Sequence, residues 1–456
     1  MDRNVGRNVG RNVGRGMDRG MDRDIGRNRD KDIDRIGKRK IALGFHACVD
    51  YELEWDLSVM ERLIREWDIH DSGLTKRKQI ASMKDLMIEI LMCMRQGTGC
   101  EIIPDDFRIC NDFAEEFTYR TTIGGTAARA AIAIRKIGYE STLGMCCLNR
   151  YIENLLPPGI TSYSGNGPDP DKVYPHIILQ YPSGVHIQAN DIDFTVPCHN
   201  RILISRDKDS MEMVIAENAR YMAQDSDVFL LSCFSEVLDE SVLTDRLDTV
   251  FDILNGLRDS AAVVLEDGCY IDKELRRMVH KRLAPVLDII SMNEDELQEY
   301  VGHKIQILDP VMVMDAVRCV YRCLQVPFLI IHTHVWALAY GTGARDLKDA
   351  LESGILLASA RYVHGDDFGM EEYRCIRTWK VDAKGEEFCR QVTDSDPLAC
   401  CVPCKDLEFA DRPTTVGLGD FFAGGLLPVL AYGHMDAGAA AGLGETSSEG
   451  REDRNV

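Results

Sequence analysis

The chain has 456 residues, of which 45% are hydrophobic and 28% charged, and its formal net charge is -21 at pH 7. This length and composition allow one large α/β domain with a smaller one attached. The negative charge argues against a nucleic acid or an anionic membrane as the main partner. No run approaches the roughly 18 to 20 apolar residues of a membrane-spanning helix, and no signal peptide is recognisable. We therefore expect a cytoplasmic protein that binds neither nucleic acid nor membrane.

The two ends of the chain differ in composition from the rest. Residues 1–38 repeat short Arg/Asn/Val/Gly and Met/Asp/Arg units without apolar periodicity, which predicts a disordered, mixed-charge leader. Residues 442–456 are predicted to form a polar tail. The folded domain is therefore expected to span residues 39–441.

The first half of that domain predicts a strand at 40–45, followed at 46–50 by a turn where site chemistry could begin. Helices are predicted at 84–94 and in the Ala-rich stretch 127–137. Short β-like runs follow among Gly, Pro, Asn and Asp turns, at 142–145, 176–181, 186–189 and 201–205. These runs predict a small sheet inserted within about 46–205.

The second half of the domain alternates between strands and helices. Strands rich in Val, Ile and Leu are predicted at 228–233, 261–265, 287–291 and 328–332, with helices at 239–258, at 272–283 and before residue 324. Such alternation predicts a parallel sheet with helices on both faces, an αβα sandwich.

The sixteen cysteines lie between Cys48 and Cys404 without the regular spacing of a disulfide scaffold. We expect most of them to be reduced and buried. Cys401 and Cys404 would suit half of a zinc site, but a second pair at a matching distance is missing.

Polar side chains follow the predicted strands of the second half, where open parallel sheets bind their ligands. They are Glu266, Asp267, Asn293, Glu294, Glu296, His332, Thr333 and His334. Carboxylates gathered at one sheet edge can hold Mg²⁺ for a nucleotide's phosphates. Any one of these acids could instead simply begin the next helix and complement its dipole.

A glycine-rich segment, PTTVGLGDFFAGGLL at 413–427, precedes an apolar helix. Its glycines would let backbone N–H groups and the helix dipole form an anion hole. Asp420 would then be placed to accept a proton from an attacking hydroxyl. An ordinary turn with Asp420 capping the helix is the alternative. Neither a Walker loop nor a dinucleotide fingerprint is present.

Residues 416–420 resemble the signature of the ADP-dependent sugar kinases, the archaeal glucokinases and phosphofructokinases of the ribokinase-like superfamily, which use ADP and release AMP. Further segments are similar to this family's motifs in the same order: Val49 and Asp50, Gly124 and Gly125, Asn200 and Arg201, Glu266, and Asn293 with Glu296. The similarity extends over most of the predicted domain.

The resemblance implies a ribokinase-like αβα sandwich with a smaller β-sheet lid that closes over the sugar, and it implies a role for each matching residue. Asp420 would be the catalytic base. The sugar would contact Asp50, Glu101, Gly124 and Gly125, while Arg201 would bind a phosphate. The implied nucleotide site is His332, Thr333, Val416, Gly417 and Gly419, and the implied Mg²⁺ site is Glu266, Glu296 and Asp420.

The implied partners are ADP and a hexose or hexose phosphate in glycolysis, with fructose 6-phosphate as the first acceptor. Glu101 is associated in this family with accepting glucose, which makes glucose the second acceptor. Three positions depart from the family: Cys48 replaces an Asn, Val264 the His of the H-x-E motif, and Phe421 a Thr. Two alternatives remain at this point: an ATP-dependent ribokinase-like sugar or nucleoside kinase, and a non-catalytic nucleotide- or sugar-binding regulator.

Overall fold

The structure is a computed structural model that describes residues 40–147, 150–165, 173–408, 410 and 414–433. The predicted leader and tail lie outside the described residues, as does the end of the predicted domain at 434–441. Within the described ranges, no helix combines the length and apolar character that crossing a membrane requires.

The strands form two main sheets and one hairpin. In chain order they are β1 (Ile41–Gly44), β2 (Cys48–Leu53), β3 (Cys100–Ile102), β4 (Tyr119–Gly124), β5 (Ser141–Met145), β6 (Ile160–Ser164), β7 (His176–Tyr181), β8 (His186–Ala189), β9 (Ile192–Thr195), β10 (Asn200–Ile204), β11 (Val228–Leu231), β12 (Ala262–Glu266), β13 (Ile289–Asn293), β14 (Phe328–His332), β15 (Trp336–Tyr340) and β16 (Ala399–Pro403).

The α-helices fill the connections between these strands. They are α1 (Leu57–Glu66), α2 (Met83–Gln96), α3 (Phe107–Glu115), α4 (Thr126–Lys136), α5 (Arg150–Leu155), α6 (Lys208–Glu212), α7 (Ala219–Gln224), α8 (Glu240–Asn255), α9 (Lys273–Leu283), α10 (Glu294–Val301), α11 (Pro310–Leu324), α12 (Lys348–His364), α13 (Met370–Arg377), α14 (Ala383–Ser395) and α15 (Leu418–Tyr432).

The larger sheet has the strand order β16-β15-β14-β13-β12-β11-β1-β5-β6. It is buried on both faces: Val228 and Leu230 of β11 belong to one hydrophobic cluster, while Phe229 and Leu231 belong to another. Each such side chain contributes about 1.5–3 kcal/mol of hydrophobic free energy on burial. The predicted α/β sandwich is therefore confirmed, with one addition: β15 and β16 extend it as antiparallel strands.

The smaller sheet has the order β3-β10-β7-β2-β4, with α1, α2 and α3 contributing to the hydrophobic cluster that it shares. Two predicted members of this sheet lie elsewhere. The run at 142–145 is β5, which pairs in parallel with β1 of the larger sheet, and the run at 186–189 is half of the β8–β9 hairpin. Short runs of this kind reveal a strand but not its partner, because pairing depends on tertiary contacts.

The segment after β1 differs from expectation, whereas most of the cysteines agree with it. The predicted turn at 46–50 already enters β2 at Cys48. All sixteen cysteines are free, and nine of them are buried. The prediction that most of them are reduced and buried is therefore confirmed, while five are exposed: Cys198, Cys269, Cys319, Cys323 and Cys375.

Helix α15 lies against α12 and α4, and its buried Phe422, Ala423 and Leu426 belong to the same cluster as β1. This packing brings the first turns of α4 and α15 together beside β2 and β4 of the smaller sheet. We call this region, where Asp50 and Glu52 of β2 meet α4 and the first turn of α15, the junction.

Candidate active site

The glycine-rich turn before α15 is held by a buried arginine. Gly417, the N-cap of α15, has a φ of 75°, a conformation that favours glycine. A Cβ there would also lie 2.6 Å from an Arg129 guanidinium nitrogen. Arg361 of α12 donates from Nε to the Val416 carbonyl at 3.1 Å and pairs with Asp366. Arg361 therefore fixes the turn by binding one of its carbonyl oxygens. The first backbone N–H groups of α15 have no acceptor within the helix.

Asp420 lies in the first turn of α15, and its side chain is 21% exposed. Loss of hydration raises the pKa of Asp420, and the nearby Glu266 and Asp50 carboxylates add to this effect. Arg129, whose Nε is 3.9 Å from Asp420 Oδ2, and a hydrogen bond from Thr126 oppose it. Asp420 is thus a carboxylate with proton affinity above the ordinary, as a general base requires.

Arg129 joins the two sides of the junction, and sequence reasoning missed it. Its side chain is buried, lies 2.6 Å from Asp50 Oδ2 and 3.7 Å from Glu52 Oε1, and approaches Asp420 as described. Burial alone would lower the pKa of the guanidinium, but Asp50, Asp420 and Glu52 outweigh it and raise the pKa. The signal that could have found it is an arginine placed directly between pairs of alanines in α4, as in Ala127-Ala128-Arg129-Ala130-Ala131.

Asp50 of β2 has both carboxylate oxygens engaged. Oδ2 accepts from Arg129, and Oδ1 accepts from the Cys48 thiol at 3.4 Å. Gly124 of β4 backs directly onto this carboxylate, because a Cβ at Gly124 would lie 2.0 Å from Oδ1. Gly125 follows as the N-cap of α4. The structure therefore brings the predicted sugar-binding residues Asp50, Gly124 and Gly125 together beside the predicted base.

Glu266, the last residue of β12, is buried beside His332 at the end of β14. His332 Nε2 lies 2.9 Å from Glu266 Oε1, whereas Oε2 is buried without a hydrogen-bond partner among the described residues. Val264 stands where the resemblance led us to expect a histidine near Glu266. In the structure, His332 supplies an imidazole to that carboxylate instead. A Cβ at Gly419 would lie 3.3 Å from His332 Cε1 and 3.9 Å from Glu266 Oε1, so the glycine turn covers this pair.

Glu296 lies in the first turn of α10 and forms a capping box with Asn293, accepting a hydrogen bond of 2.8 Å from the Asn293 backbone N–H and one of 3.0 Å from its side-chain amide. Burial, Asp267 and Glu266 raise the pKa of Glu296 well above its usual range. Two carboxyl groups that repel each other's ionisation, one with an oxygen lacking a partner, are chemically suited to a divalent cation. The residues present therefore fit Mg²⁺.

Asp267 and Glu294, which follow β12 and β13, are each paired with a side chain of the protein. Asp267 is buried 2.7 Å from Arg276 and 3.4 Å from His280, so its charge is balanced within the protein. Glu294 lies 3.3 Å from His334. Asp267 Oδ1, like Glu266 Oε2, has no hydrogen-bond partner among the described residues, but Asp267 has a guanidinium beside it, whereas Glu266 is paired with the imidazole of His332.

The remaining predicted residues lie around this centre. The Thr333 hydroxyl donates to the Trp336 carbonyl and accepts from the Val335 and Trp336 amides, so it holds the β14–β15 turn. A nucleotide contact by Thr333 stays a prediction, and its side chain is already committed to this turn.

Arg201 and Glu101 approach the junction from the smaller sheet. Arg201 is exposed, and its NH1 is 3.4 Å from the Thr415 carbonyl of the glycine-rich segment. Glu101 on β3 is also exposed, yet its carboxyl group loses hydration, and this loss together with the charge of Glu236 raises its pKa to about 7. Arg201 opposes that shift. Both sheets therefore contribute ionisable groups to one region.

Comparison with known proteins gives both a family and a fold. A sequence model described as "ADP-specific Phosphofructokinase/Glucokinase conserved region" matches residues 39–427. The search of curated proteins returns no significant match.

Among solved structures, a phosphofructokinase from Pyrococcus horikoshii OT3 with AMP superposes with a TM-score of 0.67 at 16% identity, covering 86% of this chain and 97% of that one. An ADP-dependent kinase in complex with fructose-6-phosphate and ADPβS gives 0.69 at 14% identity, covering 88% and 96%. The last common ancestor of ADP-dependent phosphofructokinases from Methanosarcinales gives 0.65 at 14% identity, covering 89% and 97%. At such identities these likenesses show the fold, and they agree with the predicted fold class.

Proposed function

The chain belongs to the ADP-specific phosphofructokinase/glucokinase family, and from that membership and the junction we propose that it is an AMP-forming sugar kinase. Fructose 6-phosphate is its first acceptor and glucose its second. In the first reaction ADP and fructose 6-phosphate give AMP, fructose 1,6-bisphosphate and a proton.

The observation that carries the proposal is the placement of Arg129 between Asp50 and Asp420. A sugar hydroxyl bound beside Asp50 would be next to the carboxylate that has to deprotonate it. Holding the acceptor and the base in one rigid group lowers the entropic cost of reaching the reactive geometry. The same guanidinium favours the ionised form of Asp420 and opposes the rise in its pKa that dehydration causes.

In this mechanism, Asp420 accepts the proton of the attacking hydroxyl as the oxygen moves toward phosphorus. The backbone amides of the first turn of α15, preceded by Gly417, face the transferring group. Their partial positive charge favours the negative oxygens of a phosphoryl group. Arg361 contributes by fixing the Val416 carbonyl, so the turn keeps its shape during the transfer.

Glu266 and Glu296, together with Asp420, are the residues that would hold Mg²⁺. The ion, when bound, would neutralise phosphate charge at this edge. Glu266 supports this assignment through its oxygen without a partner, and His332 orients the opposite oxygen. The Asn293 amides place Glu296 beside it.

Acceptor choice rests on the smaller sheet. Arg201 offers a guanidinium to a phosphate, which favours fructose 6-phosphate. Glu101 offers a carboxylate to a hydroxyl, which suits unphosphorylated glucose and would repel a sugar phosphate when ionised. Because loss of hydration and the charge of Glu236 raise the pKa of Glu101 to about 7, we expect the preference for glucose to increase with pH.

The experiment that tests the proposal measures AMP and ADP after incubating the purified chain with Mg²⁺. ADP or ATP is supplied against fructose 6-phosphate or glucose, and Asp420→Asn serves as the inactive control. AMP formation that requires both ADP and a sugar is the expected result. Consumption of ATP alone would favour an ATP-dependent kinase, and nucleotide binding without turnover in all four mixtures would favour a binding protein.

A further inference from the structure

Three side chains that can bind metal converge beneath Asp50. His46 lies between β1 and β2, Cys48 begins β2, and His176 begins β7. All three are buried, and one ligand atom from each lies within 4.8 Å of the other two. The kinase mechanism proposed above uses none of these atoms.

The distance between two of the ligand atoms already suits a tetrahedral ion. Cys48 Sγ lies 3.6 Å from His176 Nδ1. A tetrahedral zinc site with Zn–S of about 2.3 Å and Zn–N of about 2.0–2.1 Å has an S–N edge of about 3.6 Å. The His46 nitrogen, within 4.8 Å of the other two ligand atoms, would have to move closer to complete the site.

A carboxylate stands behind His176, as it does behind many metal-binding histidines. His176 Nε2 lies 3.3 Å from Asp207 Oδ2, within ion-pair distance but without the geometry of a hydrogen bond, and Nδ1 lies 3.6 Å from Cys48 Sγ. Asp207 is itself fixed, because Ser210 donates to Oδ2 at 2.6 Å. A carboxylate is therefore in place to support the ring on the side away from Cys48.

His46 supplies a second, independent sign of a missing ligand. Its Nε2 is buried and has no hydrogen-bond partner among the residues that the structure describes. Leaving a buried polar atom without a partner costs about 1–3 kcal/mol. Asp50 and Asp207 act on Cys48, and Asp207, Glu236 and Asp50 act on His176, against the cation Arg129 that acts on Cys48, so the balance of charge favours a cation.

We propose that His46, Cys48 and His176 bind one thiophilic divalent cation such as Zn²⁺, with the fourth position open to water. Binding forms a metal–thiolate bond at Cys48 Sγ and releases the thiol proton to solvent, without any oxidation or reduction. The site differs from the carboxylates of Glu266 and Glu296, because thiolate and imidazole prefer zinc-like ions over Mg²⁺. It does not rest on the proposed kinase activity.

Metal binding would act on the sugar side of the junction. Cys48 donates its thiol proton to Asp50 Oδ1, and the thiolate formed with the metal has no proton to donate. A bound ion would thus remove the hydrogen bond from Cys48 to Asp50 and change the electrostatic environment of the Asp50 carboxylate. In an active kinase preparation we expect Zn²⁺ to weaken the binding of the sugar more than that of the nucleotide.

The test is a Co²⁺ titration of the full-length, metal-stripped protein, followed by absorption spectroscopy. We expect one Co²⁺ per chain with a thiolate-to-cobalt charge-transfer band, displaced by Zn²⁺ and unaffected by excess Mg²⁺. Cys48→Ser should abolish the band, and His46→Asn should lower the affinity at least about 10-fold. Cys110→Ser, which alters a buried thiol on α3 outside this group, is the matched control and should keep the band.

Circular dichroism verifies that each variant is folded, and His176→Asn provides a further test if Cys48→Ser is not. A band that survives in folded Cys48→Ser would overturn the proposal, since one of the other fifteen cysteines would be the ligand. A protein that shows no thiolate band at saturating Co²⁺ would overturn it as well. These readouts are independent of turnover, so failure here leaves the kinase proposal standing.

Discussion

The two sheets bring carboxylates to the junction in different states. At the edge of the larger sheet, Glu266 has an oxygen without a partner among the described residues, and dehydration raises the pKa of Asp420. On the smaller sheet, Asp50 has both oxygens engaged, and Glu52 accepts from Arg120 and Thr122. Glu266 and Asp420 are thus acids whose charge awaits a ligand, whereas Asp50 and Glu52 are balanced within the protein.

This difference separates acids that are expected to act in catalysis from acids that are expected to stabilise the fold. An acid that is poorly satisfied in the free protein lowers stability, so its presence is explained by what it does when substrate arrives. An acid that is fully paired stabilises the fold, and its loss leaves a partner buried and unpaired. Substitutions on the two sides should therefore affect different measurements.

The largest effect is expected from Asp420→Asn, which removes the base without removing volume. We expect kcat to fall by about 10²–10⁴-fold, the contribution of general base catalysis. ADP affinity measured by calorimetry should change little. Because folding raises the pKa of Asp420, its ionised form is less favourable in the folded protein, and the free energy of unfolding at pH 7 should stay constant or increase. Retained turnover would rule Asp420 out as the base.

Arg129→Met, unlike Asp420→Asn, should lower the stability of the protein. It leaves Asp50 as a buried carboxylate without its cation, while Glu52 keeps Arg120, so the free energy of unfolding should fall by about 3–5 kcal/mol, measured by urea denaturation. Arg129→Lys keeps a charge and tests the effect on Asp420. With a less extended cation, the pKa of Asp420 should rise, and the acid limb of the kcat profile should move to higher pH. An unchanged profile would mean that Arg129 does not act on the base.

Glu266→Gln and Asp267→Asn compare two neighbouring acids at the same sheet edge. Glu266→Gln should weaken the activation by Mg²⁺ about 10–100-fold with little change in stability. Asp267→Asn should instead lower stability, because Arg276 and His280 lose their buried counter-charge. A Mg²⁺ titration and a denaturation curve for each variant check this, and equal metal requirements in the two variants would contradict the assignment of Glu266.

The smallest effect is expected from Glu101→Gln, because this side chain is exposed and lies outside the reacting group. We expect the ratio of kcat/KM for glucose to that for fructose 6-phosphate to fall about 3–10-fold near pH 8, corresponding to roughly 0.6–1.4 kcal/mol for one hydrogen bond. The two enzymes should converge below pH 6, where Glu101 is protonated given its pKa of about 7. A pH-independent difference would mean that its charge is not what discriminates.

Much of the larger sheet could be predicted because each strand is a compact run of β-branched and other apolar residues. The run at 328–332 matches β14 at both ends, and Glu266 follows from its position at the end of such a run. The carboxylate edge could therefore be predicted from local pattern alone. The sheet membership of β5 could not, since a short run does not identify its partner strand.

The contacts that join the two sides of the site could not be predicted from the sequence, for a different reason. Arg129 and Asp50 are separated by 79 positions, and no local pattern relates an arginine in an Ala-rich helix to a distant carboxylate. His332 and Glu266 are separated by 66 positions, so the compensation for Val264 is equally invisible in sequence. Both depend on tertiary packing, which local patterns do not encode.

The position of β1 in the larger sheet also bears on how the chain folds during synthesis. This early strand lies between β5 and β11, and its pairing with β11 spans about 187 positions, the separation of Lys40 from Asp227. During translation, one edge of β1 must wait until β11 has left the ribosome, and such long-range pairing is slow. The nascent chain thus carries an open, apolar strand edge for much of its synthesis, a window in which a chaperone would protect it from aggregation.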